Sequence, residues 1–420
     1  MIHATLLLAA LAVSAGPAQG DLTGKVVDAA QKPIPQAAVL IYTAKPRVGL
    51  GIVCPGCYAD CKKKAATDAE GKFLVSELDP KLLFKVLVVA EGFKPQFAKD
   101  VDPQHGPLDV KLEAMPTDLS GRAVLRGRVL DRSGKPVVGA VVSPTACKRA
   151  DRYWGGQMPG IDPASVTNLR GEFLITGNQG DLGYELEVEA SGFAKRLVDL
   201  LPTGETMHEI KLTEGATVRG RILKDGKPVP GIAVGLVQCD CGAGKFVGPY
   251  QIAADGDGRF SFVNVHPNDD YFVFTAMSDA VRFGGLLPVQ HIMVGADGTI
   301  KDVGDGSLEP KFHTVAGHVS LTDGKAVPGR TRLLLSREEV GSWDYQTVVI
   351  AADGSFSFAG VPDEAVELSL RIPGYRLASK RNRFQQVQPW AVALLVDADK
   401  SKLEVFLEPE PVKPSTRTSK

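Results

Sequence analysis

The chain has 420 residues, of which 44% are hydrophobic and 23% charged, a composition typical of globular proteins and unlike that of disordered ones. The 48 Lys and Arg residues balance the 49 Asp and Glu residues, so the net charge of -1 gives no general field for binding nucleic acid. The 45 Gly and 28 Pro residues break helices and mark turns, and they favour several small β-domains over helical bundles.

The first twenty residues have the features of a secretory signal peptide. The apolar run from Leu6 to Val13 is followed by small residues and by an A-x-G cleavage candidate that ends at Gly20. No later segment has the roughly 18 consecutive apolar residues that a membrane-spanning helix needs. We therefore expect a mature protein without a transmembrane segment that is secreted, periplasmic or otherwise located at the cell envelope.

Four segments of the chain open in the same way, with a short alternating strand and then a polar turn that contains Gly or Lys before Pro. The opening glycines are Gly24, Gly127, Gly220 and Gly317. Repeats of roughly 95 residues are domain-sized, whereas the turns of a solenoid are much shorter. The polar turn predicts a hairpin-like entry into the next strand.

A second turn recurs further along each repeat, where Asp or Asn precedes Gly and Phe. The Gly-Phe pairs are Gly71 and Phe73, Gly171 and Phe173, Gly258 and Phe260, and Gly354 and Phe356. The acidic or amide side chain caps such a turn, and Gly accepts the positive φ. Segments such as residues 184–190 alternate with a period of two, which is typical of antiparallel sheets with one buried face. The sequence therefore predicts an all-β fold of four tandem Greek-key β-sandwich domains.

These motifs together resemble the carboxypeptidase regulatory-like domain, a transthyretin-like (prealbumin-like), Ig-like β-sandwich. The resemblance covers residues 21–408 in four copies and is strongest in the second copy. It implies a non-catalytic accessory, structural or binding module of exported proteins, in a group with carbohydrate-binding-like folds. The predicted boundaries are 1–20 for the signal peptide, 21–115 for a first sandwich with a Cys-rich loop, 122–214, 216–310 and 313–408 for the other sandwiches, and 409–420 for a disordered tail.

The sequence lacks the patterns of familiar catalytic sites. None of the seven His residues belongs to an H-x-x-E or H-E-x-x-H zinc motif, and there is no G-x-S-x-G nucleophile motif. Asp255 and Asp257 resemble part of a calcium loop, but His266 stands near where the closing carboxylate would be, so a turn is favoured. We therefore expect no enzyme, with no catalytic residues, no metal and no cofactor.

All six cysteines fall in corresponding loops of the first three repeats. They are Cys54, Cys57, Cys61, Cys147, Cys239 and Cys241. Disulfides of unknown pairing are the favoured interpretation in an exported protein. The alternative is a metal or redox site, because the C-x-x-C-x-x-x-C pattern of the first repeat brings three thiols together.

An aromatic residue recurs at one loop position in the last three repeats. These residues are Trp154, Phe246 and Trp343, with Arg152, Tyr153 and Tyr345 as neighbours. The functional interpretation is a set of stacking surfaces for sugar rings. The structural interpretation is that each large ring closes the open end of a sandwich over its core, since core positions recur among repeats.

These patterns favour a non-catalytic scaffold that presents loop surfaces to an unknown envelope protein or polysaccharide. The first alternative is a carbohydrate-binding protein that uses the recurring aromatic residues. The second is a metal-binding protein centred on the cysteine loops. A fold signature by itself does not choose a ligand.

Overall fold

Almost all of the regular structure in the described residues is β-strand, which confirms the predicted fold class. The computed structural model describes residues 20–47, 60, 63–115, 119, 123–156, 158–178, 182–190, 192–239, 247–340, 343–378 and 385–411. By its contacts the chain divides into two compact units, Met1–Arg47 with Val53–Met115 and Val48–Ile52 with Pro116–Lys420. The predicted signal peptide lies outside the described residues, apart from Gly20.

The first unit contains two sheets around one core, here called sandwich 1. Its elements are β1 (Leu22–Val27), β2 (Ala38–Pro46), β3 (Lys64–Ala66), β4 (Lys72–Val75), β5 (Leu82–Val89), β6 (Gln96–Val101), a 3₁₀ helix (Pro103–His105) and β7 (Leu108–Lys111). The first sheet has the order β4-β1-β7 and the second β3-β2-β5-β6. Val26 and Phe73 of the first sheet meet Val39 and Phe84 of the second in the core.

The second unit begins with sandwich 2. Its strands are β8 (Ala123–Leu130), β9 (Val141–Arg149), β10 (Arg152–Gly155), β11 (Ser165–Val166), β12 (Glu172–Gly177), β13 (Gly183–Glu189), β14 (Arg196–Pro202) and β15 (Met207–Lys211). The first sheet has the order β12-β8-β15, and the second has the order β10-β9-β13-β14 with β11 also paired to β9. The core contains Val129 and Phe173 from the first sheet and Val142 and Leu186 from the second.

Sandwich 3 repeats the same arrangement and contains the short α-helix. Its elements are β16 (Ala216–Lys224), β17 (Lys227–Pro228), β18 (Ala233–Gln238), β19 (Tyr250–Ala253), β20 (Arg259–Val265), β21 (Asp269–Thr275), a 3₁₀ helix (Met277–Asp279), α1 (Ala280–Phe283), β22 (Gln290–Val294) and β23 (Ile300–Ser307). In the first sheet β16 pairs with β17, β20 and β23, and the second has the order β19-β18-β21-β22. Ile222 of the first sheet and Leu236 of the second lie in the core.

Sandwich 4 ends the described chain. Its strands are β24 (Phe312–Leu321), β25 (Arg332–Arg337), β26 (Tyr345–Val349), β27 (Ser355–Pro362), β28 (Ala365–Ser369), β29 (Tyr375–Leu377), β30 (Gln385–Gln388), β31 (Ala391–Leu395) and β32 (Lys400–Pro409). The sheet orders are β27-β24-β32-β29 and β26-β25-β28-β31-β30. Val319 and Leu335 lie in its core. In the predicted tail, Pro409 still belongs to β32 and residues 412–420 lie outside the described part.

One pairing in each first sheet differs from the antiparallel prediction. The strand with the opening glycine lies parallel to the strand that closes the repeat, as in β1 with β7, β8 with β15, β16 with β23 and β24 with β32. Alternation of buried and exposed residues does not reveal this direction, because side chains alternate along a strand in either kind of pairing. In the third repeat, β23 is the closing strand that the sequence pattern did not reveal.

The recurring turn before each Phe has one backbone geometry in all four sandwiches. In sandwich 2, Asn168 Oδ1 accepts hydrogen bonds from the N–H groups of Arg170 and Glu172 at 2.9 Å. Gly171 has a φ of +73°, and a Cβ there would lie 2.5 Å from the carbonyl oxygen of Val129. The same positive φ and the same 2.5 Å approach recur at Gly71, Gly258 and Gly354. Glycine is required because the turn packs directly on the opening strand.

The polar turn after the opening strand forms the predicted hairpin in sandwich 3, where β17 pairs antiparallel with the end of β16, and a shorter form of it in sandwiches 1 and 2. In sandwich 1 a single bridge joins Val27 and Pro33, and the chain then crosses to the second sheet, where β2 pairs with β3 and β5. In sandwich 2 the bridge joins Leu130 and Pro136. The residue after each of these prolines still donates a backbone hydrogen bond to the opening strand, Ile34 to Val26 and Val137 to Val129, and the chain then enters the second sheet.

Candidate functional site

A side chain of sandwich 3 lies inside the core of sandwich 4. Met277, in the 3₁₀ helix after β21, is fully buried and belongs to the cluster that contains Val315 and Phe358. Nearby, a Cβ at Gly360 in β27 would lie 2.9 Å from the Cβ of Ala280 in α1. The missing side chain lets these elements approach closely, so the two sandwiches share apolar packing.

Arg337, at the end of β25, bonds to both sandwiches and is only 1% exposed. Its Nε and Nη2 atoms donate to the two carboxylate oxygens of Glu364 at 2.6 and 2.8 Å. Its Nη1 atom donates to the carboxylate of Asp344 at 3.1 Å and to the carbonyl oxygen of Thr275 in sandwich 3 at 3.3 Å. We call Thr275, Met277, Arg337, Asp344 and Glu364 the junction.

Asp344 completes the polar part of the junction. It is 5% exposed, and both of its carboxylate oxygens lie 3.0 Å from the Met277 nitrogen, whose N–H donates to them. Burial raises the pKa of Asp344 above the ordinary aspartate value, and the adjacent Arg337 opposes this rise. A buried charge is costly unless it is paired and hydrogen-bonded, so this network is stable only when both sandwiches are in place.

An apolar patch on sandwich 3 extends the junction. Val237 and Phe274 are buried together with Val340 of sandwich 4, and Trp343 packs against this cluster. Phe274 also faces Arg337, whose guanidinium carbon lies 5.8 Å from the ring centre. Trp343 therefore has a packing role, against a neighbouring sandwich rather than over its own core.

The alternation of residues in β25 is a sequence signal for this network. In β25 the buried Leu333 and Leu335 alternate with partly buried residues, and Arg337 continues the inward-facing phase. An arginine in the buried phase of a strand needs a carboxylate partner, since an unpaired buried cation is costly. The alternation could have indicated a buried arginine, but not that its acceptors include an atom of sandwich 3.

Two of the predicted aromatic residues lie on the exposed strand β10. Tyr153 is 57% exposed and Trp154 is 41% exposed, and Arg152 beside them is also exposed. The Tyr153 hydroxyl donates to a carboxylate oxygen of Glu185 at 3.0 Å. Because successive side chains of a strand point to opposite faces, the two rings do not form one flat surface.

Of the other predicted ligand-binding residues, the described Trp343 and Tyr345 are not brought to this place. Tyr345 is partly buried at the start of β26 in sandwich 4, and Phe246 lies outside the described residues. Trp154 belongs to sandwich 2, whereas Trp343 belongs to the patch at the junction. Among the described residues, Trp154 is the member of the recurring aromatic set that has an exposed ring.

The described cysteines form no disulfide. Cys147 is a free thiol, buried in the core of sandwich 2, and burial raises its pKa. The N–H of Cys239 donates to the carbonyl oxygen of Asp270 at 3.0 Å. Cys54, Cys57, Cys61 and Cys241 lie outside the described residues. Disulfide pairing and the metal alternative in the cysteine loops stay predictions.

Sandwich 1 has a buried ion pair where its Cys-rich insertion begins. Arg47 follows β2, and its Nη2 atom donates to Asp102 Oδ1 at 2.5 Å and to the carbonyl oxygen of Pro80 at 2.9 Å. The side chain of Asp102 is only 8% exposed. The hydrogen bond from Arg47, above all, lowers the pKa of Asp102 to about 2, and the N–H of Gln104 contributes.

Smaller polar contacts join sandwiches 2 and 3. Arg132 lies 3.0 Å from the Asp297 carboxylate, which also accepts a 2.7 Å hydrogen bond from the N–H of Gly215. A Cβ at Gly215 would lie 2.7 Å from the Cβ of Ala194, so the connection lies directly against sandwich 2. Arg132 is 71% exposed, and such a surface pair contributes little stability.

Neither a membrane-spanning helix nor a metal-binding cluster occurs among the described residues. No helix in the described ranges is both long and apolar enough to span a bilayer. No group of three or more His, Cys, Asp or Glu side chains in those ranges is placed to hold a metal ion. The candidate site is therefore the junction. Its side chains form hydrogen bonds and ion pairs with one another and join sandwich 3 to sandwich 4.

No family model and no curated protein matches the chain. Among solved structures it is similar to the Bacillus anthracis TIE protein, with 10% identity and a TM-score of 0.19 over 95% of this chain and 76% of that one. It is also similar to a streptococcal ancillary pilin, with 13% identity and a TM-score of 0.24 over 69% and 100% of the two chains. A third is GBS52, a minor pilin of Streptococcus agalactiae, with 10% identity and a TM-score of 0.24 over 48% and 98%. Such values carry no argument about function.

Proposed function

We propose that this chain is an exported, non-catalytic scaffold of the cell envelope, built from four carboxypeptidase regulatory-like β-sandwich domains. Its role is to present surfaces to a protein or polysaccharide partner, with sandwiches 3 and 4 held in one arrangement. The repeated turn at Gly71, Gly171, Gly258 and Gly354 supports the assignment of all four repeats to one domain type. The domain boundaries of the proposal are those expected from the sequence.

The junction is the observation that carries the scaffold proposal. A flexible string of domains needs no buried contacts between neighbours, whereas here Met277 and Arg337 are both buried between two sandwiches. Only residues 308–311 connect β23 to β24, and only residues 212–215 connect β15 to β16. Short connections and shared packing hold neighbouring domains in one orientation, since relative motion is the default only where interfaces are small and polar.

Calorimetry tests whether sandwiches 3 and 4 behave as one unit. In the mature chain we expect them to unfold in a single transition, because unfolding either one removes apolar packing and hydrogen bonds from the other. The variant Arg337→Met should separate this transition into two. The matched control is Arg376→Met, which removes an exposed arginine of the same sandwich that pairs with Glu408.

Proteolysis gives an independent readout of the same idea. Trypsin cleavage after Lys311, in the connection between the two sandwiches, should be faster in Arg337→Met than in the wild type and in the control. Separate unfolding of the two sandwiches in the wild-type chain would contradict the scaffold proposal. So would equal cleavage rates in all three proteins.

The exposed ring of Trp154 favours carbohydrate binding as the second candidate function. An exposed indole is a suitable surface for stacking on a sugar ring. Retention of the mature chain on a polysaccharide column should then be lost in Trp154→Ala without a change in the thermal midpoint. The control is Leu169→Ala, which trims another exposed apolar residue of sandwich 2. Equal retention of Trp154→Ala and wild type would exclude this residue from binding.

A further inference from the structure

The outer face of the first sheet of sandwich 3 has a polar groove that none of the recurring motifs predicts. Its volume is about 660 Å³, and strands β16, β19, β20 and β23 contribute to its walls. The polar side chains that line it are Arg219, Arg221, Asp255, Arg259, Ser261, Asp302 and Asp305. The groove therefore presents both hydrogen-bond donors and acceptors.

The charge pair at this place differs among the sandwiches. In sandwich 1 Lys25 lies opposite Lys72. In sandwich 2 Arg128 of β8 lies opposite Glu172 of β12, and the two form a 2.9 Å salt bridge. At the equivalent place in sandwich 3, Arg221 of β16 lies opposite Arg259 of β20. Like charges placed directly opposite on neighbouring strands are destabilising. Sandwich 2 neutralises this position within the sheet, whereas sandwich 3 places two cations there.

Several charged groups of the groove already have partners. Arg219 donates to the Asp302 carboxylate at 2.9 Å. Asp255 Oδ1 accepts from the N–H groups of Asp257 and Arg259 at 2.9 and 2.8 Å, so its carboxylate caps the turn. Because of these contacts, fewer charged side chains of the groove are available to bind a ligand.

The guanidinium groups of Arg221 and Arg259 have fewer partners among the described residues. Arg221 donates through Nε to the carbonyl oxygen of Asp257 at 3.0 Å. Arg259 forms no salt bridge with another residue in the described part of the chain, and it is exposed. Arg221 and Arg259 thus lie opposite one another on neighbouring strands, with Asp305 of β23 across from Arg221 on its other side and Asp302 within electrostatic reach of Arg259.

We infer that this groove binds a saccharide that carries a carboxylate, with the carboxylate held between Arg221 and Arg259. Arginine presents a planar fork of donors that matches the two oxygens of a carboxylate. Ser261 and Asp305 line the same groove and supply a hydroxyl and a carboxylate for sugar hydroxyl groups. The site gives the scaffold a ligand of its own and does not depend on Trp154 or on the junction.

Isothermal titration of the mature chain with uronic acid oligosaccharides tests the inference. The probes are oligomers of galacturonate, glucuronate and mannuronate, and the matched neutral probes are their methyl esters. We expect binding of at least one acid oligomer and none of its ester, and weaker binding as salt is added. Inorganic sulfate serves as a simple anion, and binding of sulfate as tightly as of the oligomer would show that the saccharide is not recognised.

Variants at one position separate binding from folding. Arg259→Gln should weaken binding about tenfold or more, because a charge-assisted hydrogen bond is lost. Arg259→Glu reproduces the Arg-Glu pair of sandwich 2, so it should abolish binding while the thermal midpoint stays the same or rises. The control Arg170→Glu makes the same charge change at an exposed turn of sandwich 2 and should bind normally.

Four results would overturn the inference. They are no binding of any acid oligomer by the wild type, equal binding of acid and ester, binding of sulfate as tight as that of the oligomer, and undiminished binding by Arg259→Glu. None of these results bears on the junction, which is read by calorimetry and proteolysis. The two proposals can therefore fail separately.

Discussion

Replacing Arg337 with Met should destabilise the part of the chain formed by sandwiches 3 and 4. Met fills much of the same volume but leaves the Asp344 carboxylate, which is 5% exposed, without its cation. Removing one partner of a buried ion pair costs about 3–5 kcal/mol. Asp344 keeps its contact with the N–H of Met277 at 3.0 Å, and Glu364 is partly exposed, so we expect the lower end, about 3 kcal/mol.

The loss of stability in Arg337→Met should become smaller as the pH falls. Burial already raises the pKa of Asp344 in the wild type, and loss of Arg337 removes the charge that opposes this rise. An acid whose pKa is higher in the folded state than in the unfolded state destabilises the fold at pH values above the folded pKa. That penalty disappears as the pH falls through the folded pKa towards the unfolded value, about 4. The variant should therefore approach the wild type in stability as the pH is lowered.

Urea unfolding at pH 7 and at pH 5, followed by tryptophan fluorescence, measures both effects. The double variant Arg337→Met with Asp344→Leu should recover most of the lost free energy, because no buried charge then remains without a partner. Arg376→Met serves again as the surface control and should change stability by less than about 1 kcal/mol. An unchanged urea midpoint for the unfolding of sandwich 4 in Arg337→Met at pH 7 would refute the reasoning, as would a loss of stability that grows on acidification.

Three further outcomes follow from the same structure. Gly171→Ala should cost about 2–4 kcal/mol in thermal unfolding, because it adds a backbone clash to the strain of positive φ, whereas Gly134→Ala, with open space around its Cβ, should cost only about 1 kcal/mol. Met277→Ala should lower the free energy of unfolding of sandwich 4 by about 2–5 kcal/mol, and a smaller loss than 1 kcal/mol would show that the side chain is not part of that core. Asp102→Asn should lower the free energy of unfolding by about 2 kcal/mol at pH 7 and by almost nothing near pH 2. The reason is that a carboxyl group with a lowered pKa stabilises the fold only at pH values above that pKa. A loss that does not change with pH in an acid titration would contradict this.

The fold was predictable because its strongest signals are local. Asn168, Gly171 and Phe173 lie within six residues, and their turn is fixed by two side-chain hydrogen bonds and one positive φ. Such geometry repeats wherever the residues repeat. The parallel pairing of β8 with β15 is not local, because it joins strands at opposite ends of a repeat. Alternation along each strand is the same for either direction, so nothing in the pattern could reveal it.

The recurring aromatic position illustrates a different limit. Trp154 and Trp343 occupy similar places in their repeats, yet Trp154 has an exposed ring on β10 and Trp343 packs against the Val237 and Phe274 cluster. The difference comes from the neighbouring sandwich, which presents an apolar patch to one residue. A position within a repeat predicts where a side chain starts, and the adjacent surface decides what it contacts.

The junction was out of reach for the same reason. Arg337 and Met277 are sixty residues apart and belong to different repeats, and each looks ordinary within its own segment. Only the alternation of β25 indicated that Arg337 faces inward. Pairing of Arg337 with Asp344 and Thr275 depends on how two complete sandwiches meet, which is a property of their surfaces and is not encoded by spacing.

Differences between repeats are therefore the better guide to function in a chain of this kind. The recurring residues, such as Phe173 and Phe260, occupy the inward phase of strands and maintain the fold. The outward phase is free of that constraint, and it is there that Glu172 of sandwich 2 is replaced by Arg259 in sandwich 3. A substitution that removes a stabilising cross-strand pair lowers the free energy of unfolding by about 0.2–1 kcal/mol. Lys25 and Lys72 occupy the same places in sandwich 1, so the sheet tolerates two cations there, and sandwich 3 differs in placing two planar guanidinium groups beside a groove.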